Sequence, residues 1–293
     1  MNLTLNLNTK GTHMKTRTNK LATLLTAGLI AGASVTAHVA VVPVSFDLGS
    51  DPGKTTFQDA GFITAIPGNN STITNVANGT RFSSSSNDRN LGMVRTFDGL
   101  GDGARNNFSI NTSIYLDNFA SFRPDLRHAA IVLFSPGTSE GDYITGDTGN
   151  SLAISLRSSD SGDEGTLYLG EGVRTGSPFA TTTWDNVAGN DDPIARFDRF
   201  TFNVDVTFSG VDDMLVTATM TRTGGAGIGQ SATVSHLFNN ASDYIGGEYF
   251  GFGFRGGNST RTDLESFAVI PEPGTLVLVG IALGSLLLFR RRR

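Results

Sequence analysis

The sequence contains no cysteine, one tryptophan and four histidines among 293 residues. Without thiols it can build no disulfide framework, zinc–thiolate site, iron–sulfur cluster or cysteine nucleophile. Any folded domain must therefore be held by its core alone. Lysine is almost missing from the middle of the chain, where Lys54 is the only one between residues 38 and 270. Of the 22 basic residues, four lie in residues 1–37 and four in residues 271–293, whereas only one of the 27 acidic residues, Glu272, falls in those ends. Residues 38–270 thus hold 14 basic against 26 acidic side chains, a net charge of −12. Such a balance argues against a nucleic-acid or anionic-membrane partner, since both require clustered Lys and Arg. Nor does this region show a sustained helical period, and its only histidines are His38, His128 and His236. Histidines on or beside predicted strands, as His128 and His236 are, serve more often as solvated or hydrogen-bonded imidazoles than as catalytic bases.

What remains is the pattern of an all-β protein. Runs rich in Val, Ile, Phe and Thr are punctuated by Gly, Asn, Ser and Asp. The clearest is residues 200–208, in which Phe200, Phe202, Val204, Val206 and Phe208 alternate with Thr201, Asn203, Asp205 and Thr207. Period-two alternation places one set on a core face and the other on a solvent face. A short turn, residues 209–213, joins it to residues 214–221, predicting a hairpin. Further strands are predicted at 39–48, 62–66, 91–97, 108–116, 129–134, 152–156, 166–169, 232–237, 249–254 and 263–269. Long gaps at 83–90, 135–150, 158–165, 170–197 and 223–231 are candidate recognition loops. No linker divides the series, so one sandwich spanning 38–269 is expected rather than two domains.

The two ends carry addresses. Lys15, Arg17 and Lys20 precede an apolar run, 21–35, and Val35-Thr36-Ala37 offers small residues for cleavage, so 1–37 reads as a signal peptide whose true start is Met14 or Met1. At the other end, residues 270–293 contain Pro271-Glu272-Pro273, fifteen mostly apolar residues from 275 to 289, and then Arg290, Arg291, Arg292 and Arg293. Fifteen residues are short for a permanent span, which takes about 20. The four arginines act as a positive-inside stop. This order of parts resembles the PEP-CTERM sorting signal of bacterial surface proteins. The resemblance implies recognition by an exosortase-type membrane protease, removal of the tail near the Pro-Glu-Pro, and an association with exopolysaccharide. An inner-membrane intermediate would then give way to a cell-surface or extracellular-matrix form.

The second half of the middle region resembles a concanavalin A-like or laminin G-like jelly roll, through residues 130–134, 151–156, 165–169, the hairpin at 200–221 and the closing pair 249–254 and 263–269. The predicted fold is therefore a jelly-roll β-sandwich flanked by an N-terminal signal helix and a C-terminal hydrophobic helix. Jelly rolls of this kind host glycosidases, and Asp263 and Glu265, two apart in a strand, would share a face as a paired-carboxylate site requires. The laminarinase-like pattern of three alternating acids is absent, and an exposed acidic strand start is the competing reading. Parity along 264–270 also demands a bulge near Ser266.

Calcium has a candidate seat in residues 158–165, where Asp160, Asp163 and Glu164 surround a glycine turn. Similar acid clusters occur at Asp142 and Asp147, Asp191-Asp192 and Asp212-Asp213. For a sugar platform the loop residue Trp184 is the candidate, with a core plug as its alternative role. The expectation is an exported, non-catalytic sandwich with a binding or structural role, associated with extracellular polysaccharide. A carbohydrate-active enzyme on the same fold is the alternative, and a self-assembling matrix protein the third.

Overall fold

The computed structural model describes residues 44–47, 57, 60–65, 71–77, 79–84, 89–118, 127–139, 151–158, 165–173, 178–257 and 260–272. In chain order the strands are β1 (Val44–Asp47), β2 (Ile63–Ala65), β3 (Ser71–Val76), β4 (Gly79–Ser84), β5 (Arg89–Thr96), β6 (Phe108–Asn118), β7 (Arg127–Ser135) and β8 (Leu152–Ser158). They continue as β9 (Gly165–Glu171), β10 (Ala180–Thr183), β11 (Arg199–Ser209), β12 (Asp213–Gly224), β13 (Ser231–Phe238), β14 (Tyr249–Gly256) and β15 (Arg261–Pro271). Helical structure among the described residues is confined to two single 3₁₀ turns, Trp184–Asn186 and Ala241–Asp243.

Two antiparallel sheets result. One runs β13-β12-β11-β6-β15-β4-β3, with β1 joining β15 as an eighth strand, and the other runs β10-β9-β8-β7-β14-β5-β2. The predicted hairpin at 200–221 is present with Ser209 opposite Asp213, and Gly210 supplies the positive φ (64°) that its three-residue loop needs. Inward residues of both sheets interdigitate through phenylalanine. Phe82 of β4 meets Phe252 of β14 at 4.9 Å, and Phe108 of β6 meets Phe134 of β7 and Phe250 of β14 at 6.1 and 5.6 Å. Phe200, Phe202, Val204 and Val206 are fully buried, as their alternation predicts. In a chain without disulfides these large side chains, each worth roughly 1.5–3 kcal/mol when fully buried, supply the main cohesion.

β15 is central to the first sheet. It pairs with β6 along its length, while β4 takes Arg261 to Leu264 and β1 takes Ser266 to Val269. Register shifts fall between Arg261 and Asp263 and between Leu264 and Ser266. The second is the bulge that sequence parity demands, one residue earlier than Ser266, at Glu265. The strand runs on to Pro271, two residues past the predicted boundary at 269, so the first proline of the Pro-Glu-Pro belongs to the sheet.

Three strands were not anticipated: β3, β4 and β10. Their sequences, STITNV, GTRFSS and ATTT, are dominated by Thr, Ser and Asn, which read as loop until a neighbouring strand supplies pairing. The signal peptide, the hydrophobic stem and the two flanking helices expected there lie outside the described residues. Among the described residues no helix is long and apolar enough to cross a membrane.

Candidate functional site on the outer face of the eight-stranded sheet

Strand register lines up one row of side chains across four strands on the face turned away from the core. Arg199 of β11 stands opposite Tyr115 of β6, Tyr115 opposite Asp263 of β15, and Asp263 opposite Arg81 of β4. Antiparallel partners point to the same face, so the row is a direct consequence of pairing. Asp263 accepts two hydrogen bonds from Arg81, at Nε (2.7 Å) and Nη2 (2.8 Å). That hydrogen bonding, reinforced by the carboxylates nearby, raises the Arg81 guanidinium above its ordinary value. Asp117 of β6 receives Arg261 at 3.3 Å and Arg81 at 3.6 Å. Glu265, displaced by its bulge, accepts Arg199 Nε at 3.1 Å.

The carboxylate pair read from the sequence therefore lies on this face. It is neither an exposed acidic strand start nor a bare acid pair. Asp263 is only 6% exposed, and each acid is bonded to its own arginine.

Beside this row stands an exposed aromatic shelf. Phe197, 51% exposed, stacks on Tyr115 with ring centroids 6.3 Å apart and planes 21° from parallel. Two guanidiniums flank the pair, Arg196 at 4.4 Å from the Phe197 centroid and Arg199 at 4.6 Å from that of Tyr115. Phe197 adopts φ = 75°, a left-handed backbone that a bulky side chain avoids. Such strain, of order 1–3 kcal/mol, persists only where the surroundings enforce it.

Here the enforcement is visible. The Phe197 N–H donates to Leu116 O (2.7 Å), and the Leu116 N–H returns a bond to Asp198 O (2.9 Å). The Asp198 carboxylate turns the opposite way, accepts the Ala195 N–H at 2.8 Å, and meets Arg222 at 3.1 Å in an ion pair shut off from solvent. Burial pushes the Asp198 carboxyl up and the Arg222 guanidinium down from their ordinary values, because taking both from water outweighs their attraction. One side of the turn is thus locked inward, which leaves Phe197 outside.

Trp184 belongs to that lock. It is fully buried, packs edge-on against Phe200 at 5.5 Å, donates from Nε1 to Asp192 O at 3.1 Å, and carries Arg222 5.1 Å from its ring. No ring surface is left for a sugar, so of the two roles open from the sequence Trp184 fills that of the plug. The loop between β10 and β11 is built on it. Asn190 Nδ2 bonds Trp184 O (3.2 Å) and Ser231 O (3.1 Å), and Arg222 Nη2 bonds Pro193 O (2.7 Å). The chain from Trp184 through Arg222 and Asp198 to Phe197 connects the buried plug to the exposed shelf.

The other residues singled out from the sequence are dispersed. His236 lies half-buried between Phe179 (5.2 Å) and Phe238 (4.6 Å), and His128 is fully buried in β7. Asp192 accepts Gln230 Nε2 at 3.3 Å, and Asp212 binds Arg105 Nη2 at 2.7 Å. Among the described residues no three His, Asp or Glu side chains could together hold a metal ion. The calcium candidates Asp160, Asp163 and Glu164 lie outside those residues, as do Asp142, Asp147, Pro273 and Arg290 to Arg293. Glu272 is exposed and tied to Asn107, its N–H donating to Asn107 O (3.0 Å) while Asn107 Nδ2 donates to Glu272 Oε2 (3.3 Å).

Sequence reasoning passed over Phe197, Tyr115, Arg196 and Arg81. The available signal was Arg196-Phe197-Asp198-Arg199, an aromatic between two arginines at the end of the longest loop.

No family model matches the chain, and no curated protein matches its sequence. Solved structures do match its fold. The Lotus tetragonolobus seed lectin aligns with a TM-score of 0.50 at 14% identity, over 79% of this chain and 100% of the lectin. The chain has the legume-lectin fold. Peanut lectin gives 0.50 at 13% identity over 79% and 98%, and the Bauhinia forficata lectin, solved in complex with GalNAc, gives 0.50 at 12% over 79% and 99%. The concanavalin A-like jelly roll expected from the order of strands is thus the observed architecture, and identities this low speak to architecture alone.

Proposed function

We propose that residues 38–269 form the non-catalytic, carbohydrate-binding sandwich of an exported surface protein, and that the shelf of Phe197 and Tyr115 is where the glycan rests. The observation that carries this reading is Phe197 itself: a bulky aromatic kept half in water, at a costly φ, by a buried ion pair beneath it. A ring presented that way offers an apolar platform for the C–H face of a pyranose. The planar side chains of Arg196, Arg199 and Glu265 around it suit sugar hydroxyls. Lectin architecture supports the reading at the level of fold.

The test is binding of the full-length protein to a glycan array, followed by calorimetry on the ligands found. Phe197→Ala should abolish or strongly weaken binding with the fold intact. Saturable binding unaffected by Phe197→Ala would refute the site, and absence of any glycan ligand would refute the function and favour a structural or self-assembling role in the matrix.

An enzymatic reading has one observation in its favour, that Asp263 and Glu265 share the outer face with the shelf. Their one-to-one pairing with Arg81 and Arg199 weighs against it, because a general acid must be free to hold and release a proton. Reducing-sugar release that disappears in Asp263→Asn or Glu265→Gln would establish the enzyme instead.

The sorting reading completes the proposal. The protein is exported through its N-terminal signal, held at the inner membrane by residues 275–289 with Arg290 to Arg293 as the stop, and released to the cell surface by an exosortase-type protease acting near Pro271-Glu272-Pro273. Mass spectrometry of the surface-released form should find a C-terminus within residues 271–274. An intact Arg290–Arg293 end would refute processing. A structural calcium bound by Asp160, Asp163 and Glu164 is part of the same proposal, and would appear as a rise in melting temperature on adding calcium that is lost in Asp160→Asn.

A further inference from the structure

The charge inventory around the shelf is uneven. Apart from Asp205, which lies further along β11 and is bonded by Ser109 Oγ (2.6 Å) and Asn203 Nδ2 (3.0 Å), the face sets four guanidiniums, those of Arg81, Arg196, Arg199 and Arg261, against three carboxylates, those of Asp117, Asp263 and Glu265. Each carboxylate already has its arginine: Asp263 holds Arg81, Asp117 holds Arg261, and Glu265 holds Arg199. Arg196 is left over. Its Nε donates to the Asp117 carbonyl at 2.7 Å, which fixes the side chain while using only one of its five N–H groups. Its guanidinium stands 4.4 Å from the Phe197 centroid and makes no ion pair among the described residues. In a region of net charge −12, this is a preoriented cationic fork beside an exposed aromatic ring.

We infer that the shelf binds an acidic polysaccharide, specifically a uronate-containing chain whose carboxylate is gripped by Arg196 while the same residue's pyranose ring lies on Phe197. The inference rests on the shelf being a glycan site and adds the class of glycan. The fit is geometric. A hexuronic acid carries its carboxylate at the rim of the ring, which places the charge beside the aromatic and not above it. A guanidinium fork matches the two carboxylate oxygens in a way that a lysine point charge does not. The surrounding carboxylates do not repel such a ligand, because each is neutralised locally. Salt screens the attraction between guanidinium and carboxylate, and the remaining acidity of the domain disfavours polyanion binding elsewhere on its surface.

The decisive experiment titrates full-length protein with a glucuronate homopolymer and with the same polymer after reduction of its carboxyls to primary alcohols. Wild type should bind the uronate form at least about tenfold more tightly, with the preference shrinking as salt rises. Arg196→Gln should bring the two affinities within about twofold of each other, Arg196→Lys should fall between, and Phe197→Ala should weaken both polymers together. Melting curves of the Arg196 variants that match wild type would assign the change to ligand contact. If both polymers bind equally and Phe197→Ala still weakens them, the shelf stands and the acidic-ligand inference falls. If neither polymer binds, the acidic-ligand inference falls, while the shelf falls with it only if the glycan array also finds no ligand lost in Phe197→Ala. If a sulfated polymer of the same backbone binds more tightly than the uronate, the commitment to a carboxylate is overturned.

Discussion

Replacing Phe197 by alanine and by glycine separates strain from contact. Both substitutions remove the ring and with it the stack on Tyr115. Because the side chain is 51% exposed, each forfeits about half of the 1.5–3 kcal/mol that full burial of a phenylalanine contributes, roughly 0.8–1.5 kcal/mol. They differ in what happens at φ = 75°. Alanine keeps a Cβ and so keeps most of the left-handed penalty, about 1–2 kcal/mol. Glycine has no Cβ and loses that penalty, but gives back roughly 0.5–1 kcal/mol through the greater freedom of its unfolded chain. Phe197→Gly should therefore be more stable than Phe197→Ala by about 0.5–1 kcal/mol, a melting difference of about 1–4 °C for a domain of this size. This reverses the usual ranking of the two residues in extended structure. Urea denaturation followed by intrinsic fluorescence measures it directly, since Trp184 reports on the loop from beneath. An alanine variant as stable as the glycine variant, or more so, would show that the turn is not strained and would remove the argument that the ring is held outward at a cost.

Three further outcomes follow from the same geometry. Asp198→Asn leaves Arg222 buried without its countercharge and should cost about 3–5 kcal/mol by chemical denaturation; a loss below 1 kcal/mol would mean that the pair does not anchor the turn. Trp184→Ala should cost about 3–5 kcal/mol through the cavity it opens, and Trp184→Phe far less. If Trp184→Ala left stability unchanged and abolished glycan binding, the plug assignment would be wrong. Asp212, in the β11–β12 turn, is bonded by Arg105, by the Ser242 N–H (2.9 Å) and by the Ser242 hydroxyl (2.9 Å), contacts that hold its carboxyl below the ordinary value of 3.8. A lowered folded-state value favours the ionised form in the fold, so its contribution is present at neutral pH and is lost as pH falls through about 4 and below. Asp212→Asn should therefore destabilise at pH 7 and approach wild type at pH 3. An equal deficit at both pH values would contradict this.

The strand pattern was legible where one face is apolar. Residues 200–208 announced β11 because five apolar residues alternate with polar ones over its length, and the unequal parity of 264–270 announced a bulge before any pairing was known. Legibility failed where both faces are polar or the apolar content is one residue. β4 is the telling case: GTRFSS contains Phe82 for the core and Arg81 for the outer row, and neither stands out in a Thr- and Ser-rich stretch. Missing β4 hid Arg81, and with it the reason that Asp263 is not a free acid.

The shelf was obscured for a different reason. That a phenylalanine in a loop faces outward depends on a backbone dihedral and on a tertiary ion pair between Asp198 and Arg222, 24 positions apart, neither of which leaves a local pattern. Trp184 drew attention as the only tryptophan, and rarity proved to mark the loop's foundation and not its exposed surface.

The placement of β15 bears on when this chain can fold. The strand that fills the gap between β6 and β4, and gives β1 its partner, is the last one described, and its contact with Arg81 spans 182 positions. A ribosome delivers the chain from its other end, so until residue 271 has emerged β6 and β4 have no neighbour between them and the phenylalanines beneath lack their lid. Folding of such high contact order is slow, and here the eight-stranded sheet cannot close until β15 has emerged. The export proposed for this chain would be served by that delay, since an unfolded protein is the one that can be threaded through a membrane.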